Sequence, residues 1–457
     1  MNYHNFMTQI KQLNRLGLFD AKAPRYTSYP TAPHFNTGVG PDDFANWIQA
    51  IPQGDRISLY VHIPFCRRLC WFCACRTQGV QTDDPILNYI ERLEKELQLL
   101  AQHLPQGVTL SQLHWGGGTP TILSPNAITR LAQTIAQVAP FSPDYSFSVE
   151  IDPNEIDAAR VSALVAAGMN RASLGIQDFD PEIQQAIGRP QGFEDTKRAF
   201  DMLRDHGITS INADLVYGLP HQTPQKLTNT VQKLMAMLPD RIALYGYAHV
   251  PWMARRQNLI DSDSLPSAQQ RLKLFETARD LLKWDNYQDI GIDHFALPHD
   301  SMSTAANNRT LKRNFQGYTV DPADVLIGLG ASSISKFPQG FAQNAGATSH
   351  YAQAIEAGQF ATSRGHAMTS DDKMRAKIIE SIMCHFNVQT AEILDNFDIS
   401  RAQIYALFGQ INQQFEFMLD VTDQGLFIPE RARPLTRMIA QKFDAYDPNA
   451  AKHSSAI

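Results

Sequence analysis

The sequence predicts an α/β fold, a parallel sheet with helices outside it, from two observations: strand-like segments recur along the chain, and amphipathic helical stretches separate them. Ile57-Ser58-Leu59-Tyr60-Val61-His62-Ile63 alternates apolar and polar residues with the period of a strand. Similar segments follow at 109–115, 144–151, 170–176, 210–216 and 241–247. Between them, Ile86, Tyr89, Ile90, Leu93 and Leu97 share one helical face, as do Ile128, Leu131, Ile135 and Val138. Ser124-Pro125 and Thr223-Pro224 read as N-cap and N1 pairs opening two helices, and Gly168 as a helix stop. About six alternations between residues 56 and 250 predict a partial (β/α)6 arrangement, open or curled into a barrel.

In such barrels chemistry collects at the C-terminal ends of the strands. Those ends carry His62 and a cysteine loop, Gly116-Gly117-Gly118-Thr119, Glu150 and Asp152, Gln177 and Asp178, Asp214, and Tyr247 and His249. The set is more polar than a structural rim requires, so it predicts one binding site assembled from six loops. Three units are expected: an N-terminal extension over 1–55, the barrel and its extension over 56–365, and a mostly helical C-terminal cover over 366–457. The last has short helices and a hairpin turning near Asp423-Gln424-Gly425, in the manner of a winged helix.

Composition narrows the partners. A net charge of -6 over 457 residues gives no reason to expect nucleic acid, and residues 371–457, with nine Lys/Arg against twelve Asp/Glu, do not suit a DNA reader. No apolar run approaches the roughly 18 residues of a membrane span. Met1 to Lys22 lacks the apolar block of a secretory signal, so the cytoplasm is the expected location.

Four of the five cysteines fall within ten residues, at Cys66, Cys70, Cys73 and Cys75, while Cys384 stands alone. An odd count with one tight cluster argues against a disulfide framework and for metal. Four thiols could ligate zinc, but structural zinc sites usually draw pairs from separate segments. Iron–sulfur clusters also take thiolates, four per [4Fe–4S] in electron carriers. Three ligands from Cys66, Cys70 and Cys73 leave one iron open to a small molecule. The glycines after the second strand let backbone approach a ligand closely. No Gly-Lys-Ser/Thr follows, which excludes a phosphate loop. Glu150 and Asp152, on the polar side of their strand, are suited to accept ribose hydroxyls.

The Cys-x3-Cys-x2-Cys spacing after a first barrel strand resembles the radical S-adenosylmethionine superfamily. Over Pro24–Pro30, Tyr60–Cys75, Leu113–Pro120, Val149–Pro153, Gly175–Phe179, Asp214–Pro220, Tyr247–Pro251, Asp293–Ala296, Asn314–Thr319 and Gly328–Ser335 the chain is similar to the oxygen-independent coproporphyrinogen III oxidase family. That resemblance implies a radical-SAM-type barrel, a [4Fe–4S] cluster on Cys66, Cys70 and Cys73, and two S-adenosylmethionines per turnover. It implies oxidative decarboxylation of two propionates of coproporphyrinogen III to vinyl groups, giving protoporphyrinogen IX, after a 5′-deoxyadenosyl radical abstracts hydrogen from the propionate β-carbon. By motif, Tyr60, Gly117 and Glu150 contact the first S-adenosylmethionine. Phe72, Gly118, Thr119, Gln177, Arg189, Asp214, Ala248 and Ile334 contact or adjoin the second. Tyr60 and Cys75 are the candidate catalytic residues, and Arg25, Tyr26, Arg313 and Gln316 the candidate substrate contacts. The electron donor is not named by the resemblance, and nothing in the sequence demands an oligomer, so a monomer is expected.

Two departures stand out. Ala74 occupies the middle of a Cys-Gly-Cys pattern, which matters only where positive φ is needed, and Leu297 follows Asp293-His294-Phe295-Ala296 where the family has arginine. Rival readings are a related haem chaperone, against which Cys75 and Arg25–Pro30 argue, and a radical methyltransferase that opens haem.

Overall fold

Six strands form where apolar residues alternate: β1 (Arg56–Ile63), β2 (Thr109–Gly117), β3 (Phe141–Ile151), β4 (Arg171–Gln177), β5 (Ser210–Tyr217) and β6 (Arg241–Gly246). They lie parallel and pair in chain order. The intervening helices are α1 (Asp84–His103), α2 (Pro125–Val138), α3 (Ala158–Ala166), α4 (Phe193–Asp205) and α5 (Pro224–Met235), with a shorter helix at Pro181–Ala186. The predicted punctuation holds. Ser124 accepts from Ala127 N–H and Thr223 from Lys226 N–H, both at 3.3 Å, and Gly168 ends its helix at φ +101°. This computed structural model describes residues 3–446 and 454–457; residues 1–2 and 447–453, within the expected N- and C-terminal units, lie outside the described residues.

One face of each strand is apolar. Leu59, Val61, Trp115, Phe147, Leu174 and Leu215 are fully buried in the main core with the helices. Each such side chain contributes about 1.5–3 kcal/mol relative to exposure in water. The opposite face carries Ser58, Tyr60, His62, His114, Ser148, Glu150, Ser173, Asn212, Asp214 and Tyr245. Interiors of closed barrels are normally filled with branched apolar side chains. Here polar and aromatic side chains line the interior instead.

The sheet extends past the six predicted strands to twelve. Val325–Leu329 joins β1 in parallel, followed by antiparallel Ile334–Phe337, Gly340–Asn344 and Thr362–Ala367. On the far edge His294–Ala296 pairs with β6, and Gln288–Ile290 with it. Most of these additions are three to six residues long, too short for alternation to declare them.

A second core gathers the C-terminal helices Ser370–His385 and Arg401–Gln414 with the hairpin Asp420–Thr422/Gly425–Phe427, where its turn was expected. Residues 1–55 divide between the two cores. Leu13, Leu18, Tyr26 and Tyr29 pack with the C-terminal helices, whereas Phe44 and Ile48 pack with the barrel. No described helix is long and apolar enough to cross a membrane.

Candidate active site

The cysteine loop leaves β1 and is closed at its base by a two-residue parallel pairing of Phe65–Cys66 with Gln78–Gly79. Trp71 fixes its middle. The Trp71 N–H donates to Ile187 O at 2.9 Å, and its ring lies so close to Gly188, itself at φ +63°, that a Cβ there would come within 2.7 Å. Trp71 is therefore a packing residue.

All five cysteines are free thiols. Each of the three expected ligands has a hydrogen-bond donor aimed at its sulfur. Thr119 Oγ1 stands 3.5 Å from Cys66 Sγ, Arg189 Nη1 3.3 Å from Cys70 Sγ, and the Cys75 N–H 3.4 Å from Cys73 Sγ. Donors of this kind suit anionic sulfur and tune iron–sulfur potentials. Among the described residues, no three His, Cys, Asp or Glu side chains converge on a point that a single ion could occupy.

The glycine loop at the end of β2 is docked onto the cysteine loop by main chain. Gly118 N–H donates to Ile63 O at 2.8 Å and Thr119 N–H to Phe65 O at 2.9 Å. A Cβ on Gly118 would meet Phe65 O at 2.6 Å, and one on Gly117, at φ +113°, would meet the His62 ring at 2.6 Å. Only glycine permits this approach. Glu150 closes the floor: Oε1 lies 3.2 Å from His114 Nε2, and Oε2 accepts the Gly117 N–H at 3.0 Å. Burial pushes the Glu150 carboxyl up, but His114 and the Gly117 N–H outweigh it and hold it below its ordinary value. Its side chain is nonetheless 42% exposed deep in the barrel, so the space beside it admits a ligand. Tyr60 stacks on His114 and shares a 2.9 Å hydrogen bond with His62 Nδ1.

Further round, a bulge between Gly175 and Gln177 turns Gln177 to φ +71° at the end of β4. Arg189 bridges strand and cysteine loop, donating to Gly175 O at 2.8 Å and pairing with Asp152 at 3.1 Å. Asp214 is bound by Asn212 Nδ2 (2.8 Å) and Ser173 Oγ (3.2 Å); burial and the nearby Glu150 charge push its carboxyl up to about 6. Ile334 follows Gly328 in space, and Gly328 pairs with Tyr60. Gln257, absent from the sequence-based candidates, is fully buried and links two of them: its Nε2 donates to Phe72 O (2.8 Å) and Ala248 O (3.1 Å). Arg256 beside it donates to Cys75 O at 3.3 Å. Gln257 lies in a single 3-10 turn, Arg255–Leu259, too short to show a periodic pattern, so nothing in the sequence marked it.

Not every strand-end residue joins this site. Asp178 is wholly buried toward the helices, accepting from Thr230 Oγ1 (2.6 Å) and Gln222 Nε2 (2.7 Å), and so is a structural carboxylate rather than part of the polar set. Tyr247 and His249 bond each other at 2.9 Å, and His249 reaches Ser262 on the rim. Tyr26 does not face the barrel as a substrate contact would. Its hydroxyl donates to Asp444 at 2.9 Å within the second core, because its φ of +45° turns it away. Arg25 donates instead to Gly246 O at 2.6 Å, at the end of β6. Arg313 is buried over the Tyr318 ring, 4.4 Å from its centre, and 3.6 Å from Asp293. Gln316 Nε2 is buried without a hydrogen-bond partner, the condition a bound ligand relieves.

Both departures from the family pattern are benign here. Ala74 is not among the residues with positive φ, so its Cβ carries no backbone strain. Leu297 follows Ala296, which pairs with Arg241 at the start of β6, at the opposite end of the barrel from the cysteines.

Comparison with known proteins places this geometry. The sequence model of the Radical SAM superfamily matches residues 60–234. The chain is 56% identical to the oxygen-independent coproporphyrinogen III oxidase of Paracoccus denitrificans, over 99% of this chain and all of the relative. It is 52% identical to the enzyme of the same name from Cereibacter sphaeroides, over 96% of this chain and 98% of the relative. The solved structure of coproporphyrinogen III oxidase from Escherichia coli, described as a Radical SAM enzyme, superposes with a TM-score of 0.88 at 37% identity, covering 93% of this chain and 98% of that one. With matches of this length and identity, the chain belongs to the oxygen-independent coproporphyrinogen III oxidase family of radical S-adenosylmethionine enzymes.

Proposed function

We propose that this chain converts two propionates of coproporphyrinogen III to vinyl groups without oxygen, giving protoporphyrinogen IX. The observation that carries the reading is the set of donors from Thr119, Arg189 and Cys75 aimed at the three cysteine sulfurs, at the mouth of a polar barrel. Cys66, Cys70 and Cys73 would hold a [4Fe–4S] cluster. When bound, the cluster supplies the electron that cleaves S-adenosylmethionine, two molecules per turnover, and so the radical that takes a propionate β-hydrogen before CO2 and one electron leave.

The protein's own residues bind and orient. Gly116, Gly117 and Gly118 bring main chain to the ligand, and ionised Glu150 offers a carboxylate to its hydroxyl or ammonium donors. Tyr60, stacked on His114, forms one wall of that first position. Phe72, Gly118, Thr119, Gln177, Arg189, Asp214, Ala248 and Ile334 would surround the second, with Gln257 fixing the Phe72 and Ala248 carbonyls. Cys75 acts near the cluster without ligating it, and Arg25, Arg313 and Gln316 would meet the substrate. The chain works as a cytoplasmic monomer fed by a low-potential electron donor.

The test is an anaerobic assay with coproporphyrinogen III, S-adenosylmethionine and a low-potential reductant. Vinyl products with CO2 release are expected. Haem binding or methyl transfer without decarboxylation would overturn the reading.

A further inference from the structure

Beyond β1 the sheet runs on through Ile334–Phe337, Gly340–Asn344 and Thr362–Ala367, and its register carries the inner face of the barrel with it. Phe337 and Ala342 point outward into the main core. Side chains of the opposite parity face inward, so Ile334, Gln343 and Arg364 form one cross-strand row there. Two strand spacings of about 4.8 Å put Arg364 about 10 Å from Ile334. The next row holds Lys336, Phe341 and His366. Phe315 packs edge-on against Phe341, ring centres 5.9 Å apart, and its neighbour Gln316 keeps a buried Nε2 without a partner.

Arg76, which directly follows Cys75, reaches the same place. Its Nη1 lies over Gly346, just past the end of Gly340–Asn344, where a Cβ would come within 3.1 Å of it. Arg364 sits at that strand end too, its Nε donating to Gln343 Oε1 at 2.7 Å. The other two arginines of the cysteine loop are neutralised, Arg67 by Asp83 and Arg68 by Asp152. Among the described residues neither Arg76 nor Arg364 pairs with an Asp or Glu side chain. Burial and the Arg76 charge lower Arg364, and no carboxylate raises it again. Arg76 is exposed and Arg364 half-buried, so an anion can enter between them and relieve the repulsion.

We propose that Arg76 and Arg364 clamp one of the two tetrapyrrole propionates that do not react. This rests on the porphyrinogen reading above. A propionate that loses CO2 gives up its charge, so cations that stabilise its carboxylate oppose that step. An unreacted propionate keeps its charge through both decarboxylations and is held equally well at every stage. Guanidinium forks match a carboxylate bidentately, and Phe315 and Phe341 offer apolar surface to the macrocycle beside it.

The experiment is fluorescence titration of the full-length, cluster-loaded protein with coproporphyrin III and with mesoporphyrin, which keeps the two unreacted propionates and has ethyl groups in place of the others. Arg76→Gln and Arg364→Gln should each weaken both porphyrins about tenfold, the loss of a charge-assisted contact, and leave S-adenosylmethionine affinity within about twofold. Arg364→Lys should recover part of the loss. Arg76, an exposed side chain, carries the test if Arg364→Gln does not fold. Wild-type affinity of Arg76→Gln for both porphyrins would overturn the clamp while leaving decarboxylation intact. A loss confined to coproporphyrin would put a reacting propionate there, and a loss confined to S-adenosylmethionine would put that molecule's carboxylate there; either overturns the assignment. A wild type that binds neither porphyrin and makes no vinyl product would instead overturn the porphyrinogen reading.

Discussion

The two faces of the same six strands carry opposite chemistry. Outward, Leu59, Val61, Trp115, Phe147, Leu174 and Leu215 are sealed against the helices. Inward, at an odd offset in each case, stand Tyr60, His62, His114, Glu150, Ser173 and Asp214. Because successive strand side chains point to opposite faces, a one-residue slip would exchange the two sets. The register is thus held by the large apolar burial outside, and that burial keeps the costly inner groups in place. Stability and chemistry are carried by neighbouring residues yet remain separable by mutation.

The largest test of that separation is at the cysteine loop. Cys66→Ala, Cys70→Ala and Cys73→Ala should each abolish activity and bound iron, read by iron content and visible absorbance after anaerobic reconstitution. Cys75→Ser should retain the iron if Cys75, which meets Cys73 through both its main-chain N–H and its thiol, supports that ligand without being a fourth one. An iron-free Cys75→Ser protein would break the three-thiol assignment.

Next comes a pair of variants on one strand. Phe147→Ala on the outer face should cost about 3–5 kcal/mol in urea unfolding and leave S-adenosylmethionine affinity within about twofold. Glu150→Gln on the inner face should weaken that affinity about 10- to 100-fold, as loss of a charge-assisted contact does, with about 1 kcal/mol change in stability. Equal effects of both variants on S-adenosylmethionine binding would mean the two faces are not independent.

The alternation that separates the faces is also why the fold could be read from sequence. All six barrel strands, the caps at Ser124 and Thr223, and the glycine loop depend on local pattern, and local pattern survives folding. The cysteine spacing, Glu150 and Gln177 followed from being at strand ends. What escaped depended on contacts distant in sequence. Gln257 joins Phe72 from 185 residues away, and Arg437 reaches Ala23 across 414. Asp178 and Tyr26 misled for a related reason: a polar residue beside a strand end or in a matching segment does not reveal which way the backbone turns it. Only the resemblance, and then the relatives, connected the site to a porphyrinogen.

A smaller effect should appear on the outer side, at Glu96 of α1. This carboxyl accepts from Gly330 N–H and Tyr351 Oη at 2.7 Å and from Asn344 Nδ2 at 2.8 Å. Burial nevertheless pushes it from 4.5 up to about 7. A raised folded value means the native state binds the proton more tightly than the unfolded chain. The contribution is therefore full below about 4.5 and lost as pH rises through about 7. Glu96→Gln should flatten the fall in unfolding free energy across that interval. An unchanged slope would show that the native carboxyl is already ionised there.

The smallest expected effect is the most discriminating about position. Leu297 replaces an arginine common in the family, and a lost carboxylate partner would weaken substrate binding if the residue faced the site. It does not. Ala296 pairs with Arg241 at the start of β6, Leu297 N–H donates to Asp240 O at 3.1 Å, and Leu297 O accepts from Ser303 Oγ at 2.9 Å. These contacts lie at the N-terminal end of the barrel strands, a strand's length from Gly246 and Arg25. An arginine there could extend its head into water while its stem covers the same apolar surface. Leu297→Arg should therefore leave porphyrin and S-adenosylmethionine affinities within about twofold and shift stability by about 1 kcal/mol or less. A gain of tenfold or more in coproporphyrin affinity would place a second carboxylate contact at the wrong end of the barrel, and the substrate path would have to be redrawn through its interior.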